Sequence, residues 1–287
     1  MASLIYHAGA LGDFITTLPA IARWREDRPG EPSILLGRPA HAAITAPRFD
    51  ETWDADAAVF SPLLSGTAQA DSPLTTRLGD VTSALLFSAA SSPLARSLAL
   101  LGVREIVSQD PFPSSVIHVI DYHLSLFPGR ILETERIPQI LIAKSEPWDV
   151  AALHPGSGSA QKNWPLGRFI ELAARLRERG MRVSWILGPA ETGIEPLPGG
   201  EQWNSLPLPI LAARLARCRL YVGNDSGVTH LSAAAGCPTV ALFGESDPRV
   251  WAPRGKRVKV VTSTARGMAA VTVGNVLSVC VAFLKES

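Results

Sequence analysis

The sequence predicts an α/β protein of two Rossmann-like domains, each a parallel sheet covered by helices, with a cleft between them. Three observations carry that expectation. Apolar runs of strand length alternate with stretches of helical period, once from Ser3 to Leu126 and again from Ala151 to Phe243; such alternation implies parallel sheets. The pattern breaks between the two rounds, at the Lys-Ser-Glu-Pro-Trp-Asp stretch that starts at Lys144, and 287 residues suffice for two ordinary domains. Finally, Gly223-Asn224-Asp225-Ser226-Gly227 interrupts an apolar strand just before an Ala-rich helix, the strand–turn–helix of such folds. The expected division is 1–146, 147–270 and a terminal helix in 271–287.

In order along the chain, Ser3 to His7 reads as a strand. Asp13 to Arg28 reads as a helix, because Phe14, Leu18, Ile21 and Ala22 recur at helical spacing. Strands are expected at Ser33 to Leu36, Ala57 to Phe60, Thr82 to Phe87 and Glu105 to Val107, with helices at Pro93 to Leu101 and around Val116 to Leu126. The second round expects strands at Ala151 to Leu153, Arg182 to Leu187, Arg219 to Val222 and Thr239 to Phe243. Its helices are expected at Leu166 to Glu178, at Pro209 to Ala216 and after Gly227. Near the end, Thr272 is placed to cap a helix whose stripe is Val273, Val276, Leu277, Cys280 and Phe283.

Composition narrows the class. With 46% hydrophobic and 18% charged residues, the chain has the makings of a soluble globular protein with real cores. Cys218, Cys237 and Cys280 are scattered without C-x-x-C spacing, which predicts reduced core thiols in a cytoplasmic protein. No basic leader precedes the first apolar run, so no signal peptide is expected. The apolar stretch from Ala269 to Leu284 is too short and too polar to span a bilayer. Residues 1–145 hold 11 basic and 15 acidic side chains, and residues 146–287 hold 16 and 11. The basic half is the one with the polar turn, which suits an anionic ligand there. No basic run interleaved with aromatics points to nucleic acid.

Three strand-end clusters carry candidate chemistry, since ligands of such sheets bind at the carboxyl ends of strands. The late turn presents unpaired N–H groups and a helix dipole at Ser226, Gly227 and Val228, a seat for phosphate. Asp225 would repel phosphate and is better used to accept hydrogen bonds from sugar hydroxyls. Together they suggest a sugar joined to a diphosphate. His230, one turn on, serves packing or capping, or reaches a phosphate. In His154-Pro155-Gly156-Ser157-Gly158-Ser159-Ala160-Gln161-Lys162, Ser157 offers a donor and Lys162 a positive charge, while His154 reads as a strand-end histidine and Trp164 as core. Glu191, past the strand at Arg182 to Leu187, is either a ribose acceptor or a solvated surface acid. After the first strand, Gly9 and Gly12 are wrongly spaced for a dinucleotide fingerprint and would let a second molecule approach the backbone. Asp13 is either the N-cap of the first helix or a general base. The six histidines are dispersed, with no H-x-x-x-H or acidic triad, so no metal site and no cofactor are expected.

The segments LGDFITTLPAI, HPGSGSAQKNWP and YVGNDSGVTHLSAAAGCPTVALFGESDPRVWAP, in that order and spacing, resemble glycosyltransferase family 9, the bacterial heptosyltransferase-like enzymes. The resemblance implies a GT-B fold, with the acceptor on the N-terminal domain and a nucleotide-diphosphate sugar on the C-terminal one. It implies terminal helices closing against the domain interface, and inverting transfer without a metal. By motif position it makes Asp13 the base, Lys162 and Ser157 phosphate contacts, Glu191 a ribose contact, Asp225 a sugar-hydroxyl contact, and Ser226 and Gly227 the diphosphate-binding helix start. The expected donor is an ADP-sugar. The expected acceptor is a glycan or lipid-linked hydroxyl in cell-surface glycan or lipopolysaccharide synthesis, which leaves room for peripheral contact with the inner membrane face. A first half shorter than the family's keeps two other readings open, a non-catalytic GT-B scaffold and a nucleotide-sugar epimerase.

Overall fold

The computed structural model describes residues 1–69, 73–142, 146–188, 197–262 and 267–285. The chain divides into two compact units, Met1–Arg136 and Ile137–Ser287, so residues 137–146 group with the second.

The first unit runs β1 (Ala2–His7), α1 (Leu11–Glu26), β2 (Ser33–Gly37), α2 (Pro39–Ala42), β3 (Glu51–Asp54), α3 (Ser61–Ser65), α4 (Pro73–Arg77), β4 (Val81–Phe87), α5 (Pro93–Leu100), β5 (Glu105–Gln109) and α6 (Val119–Leu124). Its sheet has the order β3-β2-β1-β4-β5, and every pairing is parallel. Successive strands build outward from β1 on one side and then on the other. The order therefore reverses between β1 and β4, where such folds bind ligands. One expectation needs correction: Ala57 to Phe60 is no strand. Ala58–Phe60 forms a short 3-10 turn, and the edge strand is β3, a few residues earlier. A short apolar run does not by itself distinguish strand from helical turn. Here Phe60 turns inward and stacks on Trp53, ring centroids 5.5 Å apart.

The second unit runs β6 (Trp148–His154), α7 (Leu166–Arg177), β7 (Arg182–Leu187), β8 (Glu201–Asn204), α8 (Leu208–Leu215), β9 (Cys218–Asn224), α9 (Gly227–Ala234), β10 (Thr239–Leu242), α10 (Pro248–Trp251), β11 (Val258–Val261) and α11 (Val273–Lys285). Its order is β11-β10-β9-β6-β7-β8, again parallel throughout, with the reversal between β6 and β9. The edge strands β8 and β11 were not anticipated. The cap and the buried stripe of the terminal helix are as expected: Thr272 Oγ1 accepts from the Asn275 N–H at 3.2 Å, and Val276, Cys280 and Phe283 are buried in this unit's core with Phe169 and Leu172 of α7. Trp164 is core, 1% exposed, its indole N–H donating to the Val271 carbonyl at 2.7 Å. Cys218, Cys237 and Cys280 are free and buried. Burial pushes the thiols of Cys218 and Cys280 up to about 12, so they stay protonated. Among the described residues, no helix is long and apolar enough to cross a membrane.

Candidate functional site

Each unit presents chemistry at its own reversal point. In the second, β6 ends at His154 and β9 at Asn224, neighbours in the sheet. Glycine is forced just before the turn, because a Cβ on Gly223 would lie 2.2 Å from the Tyr221 hydroxyl oxygen. The chain then leaves the sheet through Asp225 and Ser226. Ser226 is the N-cap of α9, its Oγ accepting from the Thr229 N–H, so the helix starts at Gly227. The N–H groups of Gly227 and Val228 have no intrahelical acceptor by helix geometry, and the positive end of the helix dipole lies with them.

The side chains around this turn are bonded into one network. Asn224 Nδ2 donates to the Pro155 carbonyl at 2.8 Å, and its Oδ1 accepts from the Trp164 N–H at 2.9 Å. One buried amide thus ties the end of β9 to both ends of the loop from Pro155 to Trp164. Ser226 Oγ lies 3.3 Å from His154 Nδ1 and 3.1 Å from Thr229 Oγ1, which in turn meets the Tyr221 hydroxyl at 2.9 Å. Burial holds His154 down to about 4, so its ring is neutral at physiological pH. His230 is buried in the first turn of α9, its N–H donating to the Ser226 carbonyl.

Lys162 and Asp225 meet here, although 63 residues separate them: Lys162 Nζ donates to Asp225 Oδ2 at 2.7 Å. Ser246, in the loop after β10, donates to the same oxygen at 2.6 Å. Asp225 is 8% exposed, while the Lys162 side chain is 38% exposed. The structure thus pairs the residue assigned to phosphate with the one assigned to a sugar hydroxyl. The Ser157 hydroxyl is engaged within its own loop, 2.7 Å from both the Ser159 carbonyl and Asn163 Oδ1. A cavity of about 420 Å³ opens along this loop, lined by Gly156, Ser157, Gly158, Ser159 and Asn163 among others. Glu191 lies outside the described residues.

In the first unit, β1 ends at His7 and the chain passes Gly9 into α1. Asp13 is not the N-cap. Helix α1 already begins at Leu11, its cap position is Ala10 with no side-chain bond, and Asp13 falls within the first turn. A carboxylate there still complements the helix dipole. A Cβ on Gly9 would lie 3.0 Å from His7 Cε1 and 3.5 Å from Asp13 Oδ2, so the imidazole and the carboxylate border the space glycine leaves open. Gly12 lies inside α1, half-buried. Behind His7 are Phe14 and Phe87 at 5.4 and 6.0 Å between ring centroids, with His41 stacked on Phe14 and His123 edge-on to Phe87. Burial, then the neighbouring His41 and His123 rings and Arg38, drives His7 down to about 3. Burial, followed for His41 by Arg38, takes His41 and His123 to about 4. Among the described residues, no group of three or more His, Cys, Asp or Glu side chains is arranged to hold a metal ion.

Sequence reading missed Asn224, Ser246 and His7. Asn224 and His7 occupy the last residues of β9 and β1, and Ser246 follows β10 by a few residues. Their strand-end positions were the available signal.

Comparison with known proteins bears on the family and the fold. The model of glycosyltransferase family 9 (heptosyltransferase) matches residues 142–278. Lipopolysaccharide heptosyltransferase 1 of Pseudomonas aeruginosa is 36% identical over 100 residues, 32% of this chain and 28% of that protein. The curated relatives are matched over 28% to 45% of their own length. The solved structure of E. coli ADP-heptose lipopolysaccharide heptosyltransferase II superposes with a TM-score of 0.77 at 17% identity, covering 100% of this chain and 99% of that one. An E. coli heptosyltransferase solved with ADP gives 0.69 at 20%, with the same coverage. At those identities the superpositions speak for the fold, two parallel-sheet α/β domains of the GT-B type. The match to the family model takes in residues 142–278, a segment just under half of the chain.

Proposed function

We propose, with that family 9 segment as premise, that the chain is an inverting, metal-independent glycosyltransferase. It moves a sugar of the heptose class from an ADP-sugar to an acceptor hydroxyl in lipopolysaccharide or a related cell-surface glycan. The reaction is assigned to the cytoplasm, where three unpaired thiols would persist. The observation that carries the reading is the convergence of Lys162, Asp225 and the start of α9 at the reversal point of the matched unit.

The chemistry follows from charge. The acceptor hydroxyl attacks the anomeric carbon while the nucleoside diphosphate departs from the opposite face. Negative charge growing on the diphosphate is met by the N–H groups of Ser226, Gly227 and Val228, already held in place at the helix start, and by the Lys162 ammonium, which turns to it from Asp225. Removing one such preorganised donor commonly costs on the order of 3 kcal/mol in the barrier. Asp225 accepts a sugar hydroxyl, and Asp13 takes the acceptor's proton as the bond forms. In this reading the first unit binds the acceptor and the second the donor.

The test is incubation with ADP-heptose and a deacylated lipopolysaccharide core oligosaccharide in EDTA, with the product's anomeric configuration read by NMR. The reading predicts ADP release and a product inverted relative to the donor. An isomerised sugar formed without acceptor would make the protein an epimerase. ADP binding without turnover would make it a scaffold.

A further inference from the structure

Asp225 Oδ2 accepts two donors, the Lys162 ammonium and the Ser246 hydroxyl, whereas Oδ1 makes no hydrogen bond among the described residues. The two donors differ in kind. Lys162 sits at the end of a flexible, partly exposed side chain and carries a charge that a diphosphate would attract. Ser246 is short and stands on a loop fixed at both ends. Before it, a Cβ on Gly244 would lie 2.6 Å from Met268 Sδ and 2.7 Å from the Met268 backbone nitrogen, so the loop lies directly against that segment. After it, Asp247 caps α10, its carboxylate accepting from the Arg249 N–H at 2.9 Å.

If Lys162 turns toward a diphosphate, Asp225 loses its charged partner. A carboxylate rotates about a broad, two-fold terminal torsion, so without a second anchor Oδ1 would have no preferred direction. We propose that Ser246 is a positioning residue for Asp225: it holds Oδ2 when Lys162 is drawn to the donor's diphosphate, and so aims Oδ1 at a hydroxyl of the donor sugar. This rests on the donor-site reading above. It adds a residue whose effect falls on the sugar and not on the nucleotide.

The two ligand parts therefore separate the roles. Calorimetric titrations of ADP and of ADP-heptose would be run on the parent, Ser246→Ala and Ser246→Thr, with a thermal melt of each. Ser246→Ala should weaken ADP-heptose about tenfold, as loss of a hydrogen bond to a charged group does, while ADP affinity stays within about threefold. Ser246→Thr, which keeps the hydroxyl, should recover most of the loss. Equal weakening of both ligands together with a lowered melt would make Ser246 a merely structural residue. Unchanged ADP-heptose affinity in Ser246→Ala would overturn the positioning role and leave the donor site standing. A parent protein that binds neither ligand would overturn the donor site itself.

Discussion

The two reversal points are built to different degrees of completion. At the one in the second unit, polar groups answer one another: Asn224 bridges two loops, Ser226 and Thr229 close on His154 and Tyr221, and Lys162 meets Asp225. At the one in the first unit, the Nδ1 atoms of His7 and His41 are buried with no hydrogen-bond partner among the described residues. Each such atom costs about 1–3 kcal/mol of stability. The difference teaches where rigidity has been placed. The second unit carries a turn whose polar groups are already bonded to one another, as the proposed donor seat requires of a site for developing charge. The first carries a buried cluster of neutral imidazoles and aromatic rings beside Asp13, sensitive to acid.

The largest expected effect would break the second half of that contrast outright. Deleting 272–287 removes Val276, Cys280 and Phe283 from the core, together with the cap at Thr272. Buried side chains of this kind cost roughly 2–5 kcal/mol each when lost, so the second unit should no longer melt cooperatively at the parent temperature. An unchanged thermal melt would remove α11 from the packed structure.

Asp13 sharpens the first half. Because it is no N-cap, Asp13→Asn loses no capping bond, and the favourable charge it gives up at the start of α1 is worth about 0.3–1 kcal/mol. An amide cannot take the acceptor's proton, so a base role predicts a rate loss of about a hundredfold or more. Equal rates in the two proteins, with a donor and acceptor in hand, would leave Asp13 a dipole partner and the reaction without its base.

Acid should act unevenly. His7, His41 and His123 titrate near 3 to 4 when folded, against 6.5 in the open chain. Between those values the unfolded chain binds protons that the folded one does not, so stability is complete above pH 6.5 and falls as the pH drops toward 4. In the second unit His154 is lowered in the same way, whereas in the first three such imidazoles gather around Phe14 and Phe87. Hydrogen exchange resolved by peptide should show β1, α2 and α6 opening at a higher pH than β6 and β9. Simultaneous opening would refute the contrast.

Much of the architecture was legible because it is local. Alternation announced the parallel sheets, Thr272 announced its helix, and the break at Gly223 announced the turn. What escaped is either too short to have a period, as with β8 and the Phe60 turn, or made by contact across the sheet. The resemblance brings Lys162 and the Ser226 turn to one phosphate site, but nothing near Lys162 in the sequence points to its ion pair with Asp225, and nothing near Asp225 points to Ser246. They meet because β6, β9 and β10 end on the same side of one sheet. The cap alternative for Asp13, one of two left open, fails for a related reason. Capping preference describes a residue type, but here α1 starts two residues before Asp13, with no side-chain cap.

The most direct test of a preorganised donor seat in the second unit is calorimetric titration of ADP in EDTA, parent against Lys162→Ala, with a melt of each. The account predicts that the parent binds ADP without added metal, and that Lys162→Ala weakens it about tenfold or more while remaining folded. Equal affinity in the two proteins, or no binding until a divalent ion is supplied, would contradict it.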